Sequence, residues 1–205
     1  MTEIVGIGGS LAEHSVSREG LRFALEGAEQ AGAHTVLLDV RELDLPFFRP
    51  DLGALPARAA RLLEESYRAD GLIWSSPMYN GTVSGAVKNA LDWLHLLGDR
   101  EPPYLTDRVI GLISTAGGTH GLQVVNTLDY VVRSLRAWAV PLVVPMSGVP
   151  QAWDGEGVPF DENAVEQLRS LGSEVARVAR LFATGEVDEA ETHRTEAAAR
   201  VVATA

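Results

Sequence analysis

The sequence contains no cysteine. Disulfides, thiolate nucleophiles, thiolate metal sites and Cys-ligated clusters are therefore excluded together. Positive charge is scarce: 17 Lys+Arg stand against 28 Asp+Glu, the formal net charge is −11, and Lys88 is the sole lysine. Nucleic acids and anionic membranes call for a net basic face, so neither is expected as a partner. A small anion held locally by backbone N–H groups remains compatible with this balance. No apolar run approaches the roughly 20 residues that span a bilayer. The opening Met1-Thr2-Glu3 lacks the basic n-region of a signal peptide. The expectation is a soluble, cytoplasmic protein.

What is present is a globular composition, with 46% hydrophobic and 22% charged residues. The 205 residues suit one domain, and such a chain buries roughly 70% of its unfolded surface. Five short apolar runs recur: Ile4-Val5-Gly6-Ile7-Gly8, Thr35-Val36-Leu37-Leu38-Asp39, Gly71-Leu72-Ile73-Trp74-Ser75, Val109-Ile110-Gly111-Leu112-Ile113 and Val140-Pro141-Leu142-Val143-Val144. Being apolar on both alternating faces, they read as parallel strands covered by helices on either side. Between and after them run helical stripes: Leu21, Ala24, Leu25, Ala28; Ala59, Leu62, Leu63, Ser66; Val83, Val87, Ala90, Leu91, Leu94; Leu122, Val125, Leu128, Val132; and Val165, Leu168, Leu171, Val175, Val178. The alternation predicts an α/β fold: a flavodoxin-like, doubly wound, five-stranded parallel sheet of order 2-1-3-4-5 with helices on both faces. Pro141 and Pro145 fit an edge position for the fifth strand. The expected domain covers residues 1–184. Residues 185–205 read as a C-terminal tail, helical or disordered.

Ligands of open doubly wound sheets lie beyond the C-terminal ends of the strands. After the first strand, Gly8-Gly9-Ser10-Leu11-Ala12-Glu13-His14-Ser15-Val16-Ser17 opens a helix whose N–H groups favour an anion. The bland reading leaves the serines as helix caps and the glycines as a turn. A Walker A loop is excluded, since no Gly-Lys-Ser/Thr occurs, and G-x-G-x-x-G is half matched by Gly6 and Gly8 with Leu11 in the third place. Asp39 either reads a ribose or serves as a capping carboxylate. After the third strand comes Ser75-Ser76-Pro77-Met78-Tyr79-Asn80-Gly81, in which Asn80-Gly81 permits left-handed backbone. An Asn-Gly hairpin is the alternative there, and the helical spacing after Gly81 speaks against it. After the fourth strand, Ser114-Thr115-Ala116-Gly117-Gly118-Thr119-His120-Gly121 is again a loop of small residues. Three such loops converging on one crevice are the main functional signal.

Together these residues resemble the NADPH-dependent FMN reductase family, flavodoxin-like enzymes that include quinone, chromate and azo reductases. The matching pieces are Gly9-Ser10-Leu11 with Ser15-Val16-Ser17, Ser76-Pro77-Met78-Tyr79-Asn80-Gly81 with Gly85, Lys88-Asn89-Ala90-Leu91-Asp92-Trp93, and Ser114-Thr115-Ala116-Gly117-Gly118. The resemblance implies that Ser10, Ser15, Val16 and Ser17 hold the FMN phosphate. Pro77, Met78, Tyr79, Asn80 and Gly81 would line the isoalloxazine, and Ser114, Gly117 and Gly118 its other edge. It assigns Lys88, Asn89, Asp92 and Trp93 to the helix and a subunit contact. It further implies NADPH or NADH as hydride donor, free flavin or a quinone-like molecule as acceptor, a homodimer or homotetramer, and room for a monooxygenase partner. Relatives often carry Arg where this chain has Ala12, which leaves the choice of nucleotide open.

The chemistry would be that of the cofactor, so no catalytic side chain is expected. His14, His34, His95, His120 and His193 are scattered without metal-ligand spacing, so no metal site is expected. Among them His120 stands out, because it lies in the third loop. Trp74, Trp93, Trp138 and Trp153 read as core or interface residues. A non-enzymatic FMN electron carrier and a dinucleotide enzyme using Gly6, Gly8 and Asp39 are the competing readings.

Overall fold

Each of the five apolar runs forms a strand of one parallel sheet. The fold was taken from a computed structural model, which describes residues 1–51, 53–150 and 153–184. The elements are β1 (Glu3–Gly8), α1 (Val16–Gln30), β2 (His34–Asp39), α2 (Val40–Leu43), α3 (Ala57–Arg68), β3 (Gly71–Tyr79), β4 (Thr82–Val83), α4 (Gly85–Trp93) with a 3₁₀ turn Leu94–Asp99, β5 (Val109–Ala116), α5 (Gly121–Ser134), β6 (Trp138–Ser147) and α6 (Glu162–Thr184). The order is β2-β1-β3-β5-β6, which is 2-1-3-4-5 once β4 is set aside. The expected tail, residues 185–205, lies outside the described residues.

Strand β4 is the departure from expectation. It pairs antiparallel with the end of β3, Met78 opposite Val83 and Tyr79 opposite Thr82. Asn80 (φ 51°) and Gly81 (φ 85°) both take left-handed backbone, as a two-residue hairpin requires. The hairpin disfavoured by the helical spacing is therefore present, and Val83 belongs to it rather than to α4. Helix α4 starts only after Ser84, whose Oγ accepts from the Val87 N–H at 3.3 Å. Helix α5 shows a smaller shift. Leu122 points outward, 52% exposed, and Val124 is buried in its place.

Alternation along the strands feeds two apolar layers. Val5, Ile7, Leu72, Trp74, Ile110 and Leu112 face α3, α4 and α5. Ile4, Ile73 and Ile113 face α1 and α6, meeting Leu21, Leu25, Leu168, Leu171 and Val175. At the edge of the sheet, β6 pairs with β5 through a register shift between Ile110 and Leu112, and Pro141 sits in that irregularity, where a missing N–H costs no ladder bond. Below the sheet, Asn89 accepts from the Phe48 N–H at 2.8 Å and donates to the Pro46 carbonyl at 3.0 Å. The Trp93 indole donates to the same carbonyl at 3.1 Å. Both residues thus pin the segment after α2, while Lys88 and Asp92 form an exposed i,i+4 pair.

Helices α1 and α6 cross at two glycines. A Cβ on Gly27 would fall 2.0 Å from the Arg169 carbonyl oxygen, and one on Gly172 would fall 1.7 Å from that of Ala24. Gly172→Ala must separate the helices and is expected to cost at least about 3 kcal/mol. Gly85→Ala, where nothing lies within 4 Å, should be neutral or gain up to about 1 kcal/mol. Urea unfolding midpoints of the two variants check this; equal midpoints would contradict the close crossing.

Candidate functional site

The β1–α1 loop leaves the sheet where backbone meets backbone. A Cβ on Gly8 would lie 2.2 Å from the Ser75 carbonyl oxygen, and the Gly9 N–H (φ 101°) donates to that oxygen at 3.2 Å. Ser10 folds back, its Oγ accepting from the Ala12 N–H at 3.2 Å. Ser15 caps α1, accepting from the Arg18 N–H at 3.2 Å, and its Oγ lies 3.1 Å from that of Ser17. Ser75 Oγ donates to the Ser17 carbonyl at 2.8 Å. Ser10, Ser15 and Ser17 are all buried. The bland reading of Ser15 as a helix cap is thus met, yet its hydroxyl also lines the cavity.

The β3–β4 hairpin supplies the opposite wall. Buried Ser76 donates to the Pro77 carbonyl at 2.9 Å and accepts from the Ser84 N–H at 3.0 Å, tying the strand end to the cap of α4. The β5–α5 loop closes the third side. Here Ser114 turns away, its Oγ donating to the Gly121 carbonyl at 2.7 Å, so it anchors α5 instead of facing the opening. The segment after β6 is laced onto this loop by the Gly148 N–H on the Gly118 carbonyl (3.3 Å) and the Val149 N–H on that of Ala116 (3.1 Å).

Between these loops lies a cavity of about 440 Å³. Nine of the expected residues line it: Ser10, Ser15, Val16, Ser17, Pro77, Met78, Tyr79, Asn80 and Gly117. Gly81, Ser114 and Gly118 do not. Ala12, His14, Thr115, Val149 and Pro150 line it as well. Val149 and Pro150 follow the fifth strand, and the rule that ligands sit beyond strand ends pointed there too. His14 stands edge-on to Trp153, ring centroids 6.3 Å apart, whereas His120 is exposed and outside the lining.

No Lys, Arg, Asp or Glu occurs among the described lining residues of the cavity. The one basic side chain on the cavity wall among the described residues is that of His14. Arg18, next in chain to Ser17, turns toward Asp39 at 3.3 Å and the Glu13 carbonyl at 3.4 Å. Asp39 also accepts from the Arg41 N–H at 3.0 Å, capping α2. Of its two readings, the capping one is realised. Hydroxyls and the first N–H groups of α1 can receive an anion, and the Pro77–Asn80 and Thr115–Gly117 walls leave room for a flat ring between them. The donor set and the volume fit a phosphate-bearing aromatic cofactor.

Comparison with known proteins agrees. The chain is 27% identical over 174 residues to a probable NADPH:quinone oxidoreductase 2 of Oryza sativa subsp. japonica, covering 82% of this chain and 84% of the relative. It is 30% identical over 131 residues to an FMN-dependent NADPH-azoreductase of Staphylococcus aureus, covering 64% and 66%. Among solved structures, the flavoenzyme NAD(P)H:(acceptor) oxidoreductase FerB of Paracoccus denitrificans superposes with a TM-score of 0.70 at 19% identity, over 89% of this chain and 99% of that one. An apo NADH:FMN oxidoreductase, EMOB, gives 0.67 at 21% over 86% and 89%. These structural likenesses speak for the fold. The family model for NADPH-dependent FMN reductase matches residues 2–151, which is most of the chain, and the protein belongs to that family of flavin-dependent NAD(P)H oxidoreductases.

Proposed function

We propose that the cavity binds FMN and that the enzyme passes reducing equivalents from NADPH or NADH to free flavin or a quinone-like acceptor. One observation carries this reading: three loops of small residues surround a cavity at the C-terminal edge of the sheet that no Lys, Arg, Asp or Glu lines among the described residues, with the α1 N-terminus at one end. FMN, when bound, supplies the hydride-accepting centre. The chain's own residues position and shield. Ser10, Ser15 and Ser17, with the Val16 backbone, would hold the phosphate. Pro77, Met78, Tyr79 and Asn80, with Gly81 setting the turn, would hold one side of the ring, and Thr115 and Gly117 the other. Ser114 and Gly118 would act from behind, fixing α5 and the strand-end segment. No carboxylate lines the cavity among the described residues, in keeping with a reaction that asks no acid–base pair of the protein.

The cellular setting belongs to the same proposal. A cytoplasmic location goes with that reading because NAD(P)H is its reductant, and no helix among the described residues is long and apolar enough to cross a membrane. A homodimer or homotetramer is supported by exposed apolar side chains beside α4 and on α5, notably Phe47 (84% exposed) and Tyr130 (75%). A monooxygenase could then take the reduced flavin as a partner enzyme.

The purified protein should bind FMN, seen as quenched flavin fluorescence, and should oxidise NADPH or NADH when FMN or a quinone is added. Bound FMN without nicotinamide oxidation would instead indicate an electron carrier. A protein that binds no FMN would overturn the reading. Asn80→Pro cannot hold φ near 50° and should weaken FMN binding at least tenfold, about 1.4 kcal/mol. Asn80→Gly keeps the turn and should bind within a few-fold of wild type; wild-type affinity in the proline variant would remove Asn80 from the site.

A further inference from the structure

Asp39 is the only buried ionisable side chain among the described residues, 1% exposed. It sits at the C-terminal end of β2, opposite Gly8 in the sheet register, directly behind the loop assigned above to the phosphate. A Cβ on Gly9 would approach its Oδ1 to 2.9 Å and the Arg18 Cβ to 3.4 Å. A buried carboxylate behind an anion site opposes that anion unless a cation compensates it. The compensating group is Arg18, the residue after Ser17, whose guanidinium lies 3.3 Å from Asp39 Oδ2. Arg18 is therefore not free to serve the cavity. Its charge is spent on Asp39, and its second nitrogen reaches the Glu13 carbonyl, which bridges the loop from outside.

We propose that Arg18 supports phosphate binding at one remove, by neutralising the buried Asp39 carboxylate behind the cradle. The compensated pair leaves recognition of the ligand's anionic group to hydroxyls and backbone N–H groups. This rests on the FMN reading given above. Three consequences follow from the charges alone. Removing the negative member leaves Arg18 uncompensated and favours a phosphate-bearing ligand. Removing the positive member leaves Asp39 uncompensated and disfavours it. Removing both restores neutrality. A ligand of the same ring system without phosphate feels none of these changes.

The test is a double-mutant cycle with two ligands, FMN and riboflavin, read by flavin fluorescence quenching at low and high salt. Asp39→Asn keeps the acceptor for the Arg41 N–H and should bind FMN roughly tenfold more tightly, with a steeper loss of affinity as salt rises. Arg18→Gln, at a partly exposed site, should bind FMN roughly tenfold more weakly. The double variant should return to within a few-fold of wild type, and riboflavin affinity should stay level throughout. If Asp39→Asn does not fold, the arginine variant alone decides, because it must weaken FMN while sparing riboflavin. Single variants that lose both ligands in parallel, or change neither, overturn the proposal while wild-type FMN binding leaves the functional reading intact. A wild-type protein that binds no FMN overturns the functional reading, and this proposal with it.

Discussion

Ser75 holds both ends of the β1–α1 loop. Its carbonyl receives the Gly9 N–H at 3.2 Å, and its hydroxyl donates to the Ser17 carbonyl at 2.8 Å. One buried residue of the central strand β3 thus fixes where the loop departs from β1 and where α1 begins. Gly8 is required by the same contact, because any Cβ there would meet the Ser75 carbonyl. The next residue along β3, Ser76, repeats the device on the other side by tying the hairpin to the cap of α4. The two walls of the cavity are therefore referenced to adjacent residues of one strand. Sites hung on a rigid strand keep their geometry better than sites carried by loops alone.

The five strands and the faces of most helices were legible in the sequence because their signal is hydrophobic period, which burial enforces directly. The strand order followed from the flavodoxin-like pattern, and Pro141 and Pro145 added only that the fifth strand suits an edge. The hairpin at Asn80-Gly81 was misread for a physical reason. Its turn chemistry is local and strong, but β4 has two residues, too few to show a period against the helix that follows. In α5, Leu122 and Val124 are both apolar and flank the stripe of Val125, Leu128 and Val132 from opposite sides. What selects Val124 is how α5 is seated by Gly121, whose Cβ position is 3.0 Å from the Met146 carbonyl and 3.1 Å from Ser114 Oγ.

The candidate site divides in the same way. Loops rich in Ser and Gly can be found from composition and from their place after strands, and nine of the twelve expected residues line one cavity. Which way a hydroxyl points cannot be found so. Ser114 and Thr115 are neighbours of similar chemistry, yet one bonds behind the sheet end and the other faces the opening, because side chains alternate along β5. Asp39 looked equally suited to a ribose or a cap. Long-range packing of Arg18 and the start of α2 decided it.

A chain of net charge −11 in a family that handles anionic nucleotides faces an opposing field. That field is weak at a distance, because physiological salt screens charges beyond about 8 Å. It cannot be overcome by steering, and the cavity offers no Lys or Arg among its described lining residues to attract the ligand. Affinity must then arise at contact range, from oriented hydroxyls and helix N–H groups. Such dipoles act only over short distances and only in the right direction, so they demand a backbone held in place before the ligand arrives. The hydrogen bonds of Ser75 and the compensation of Asp39 by Arg18 meet that demand in different ways: the first sets the direction of the donors, and the second keeps a buried carboxylate from cancelling them.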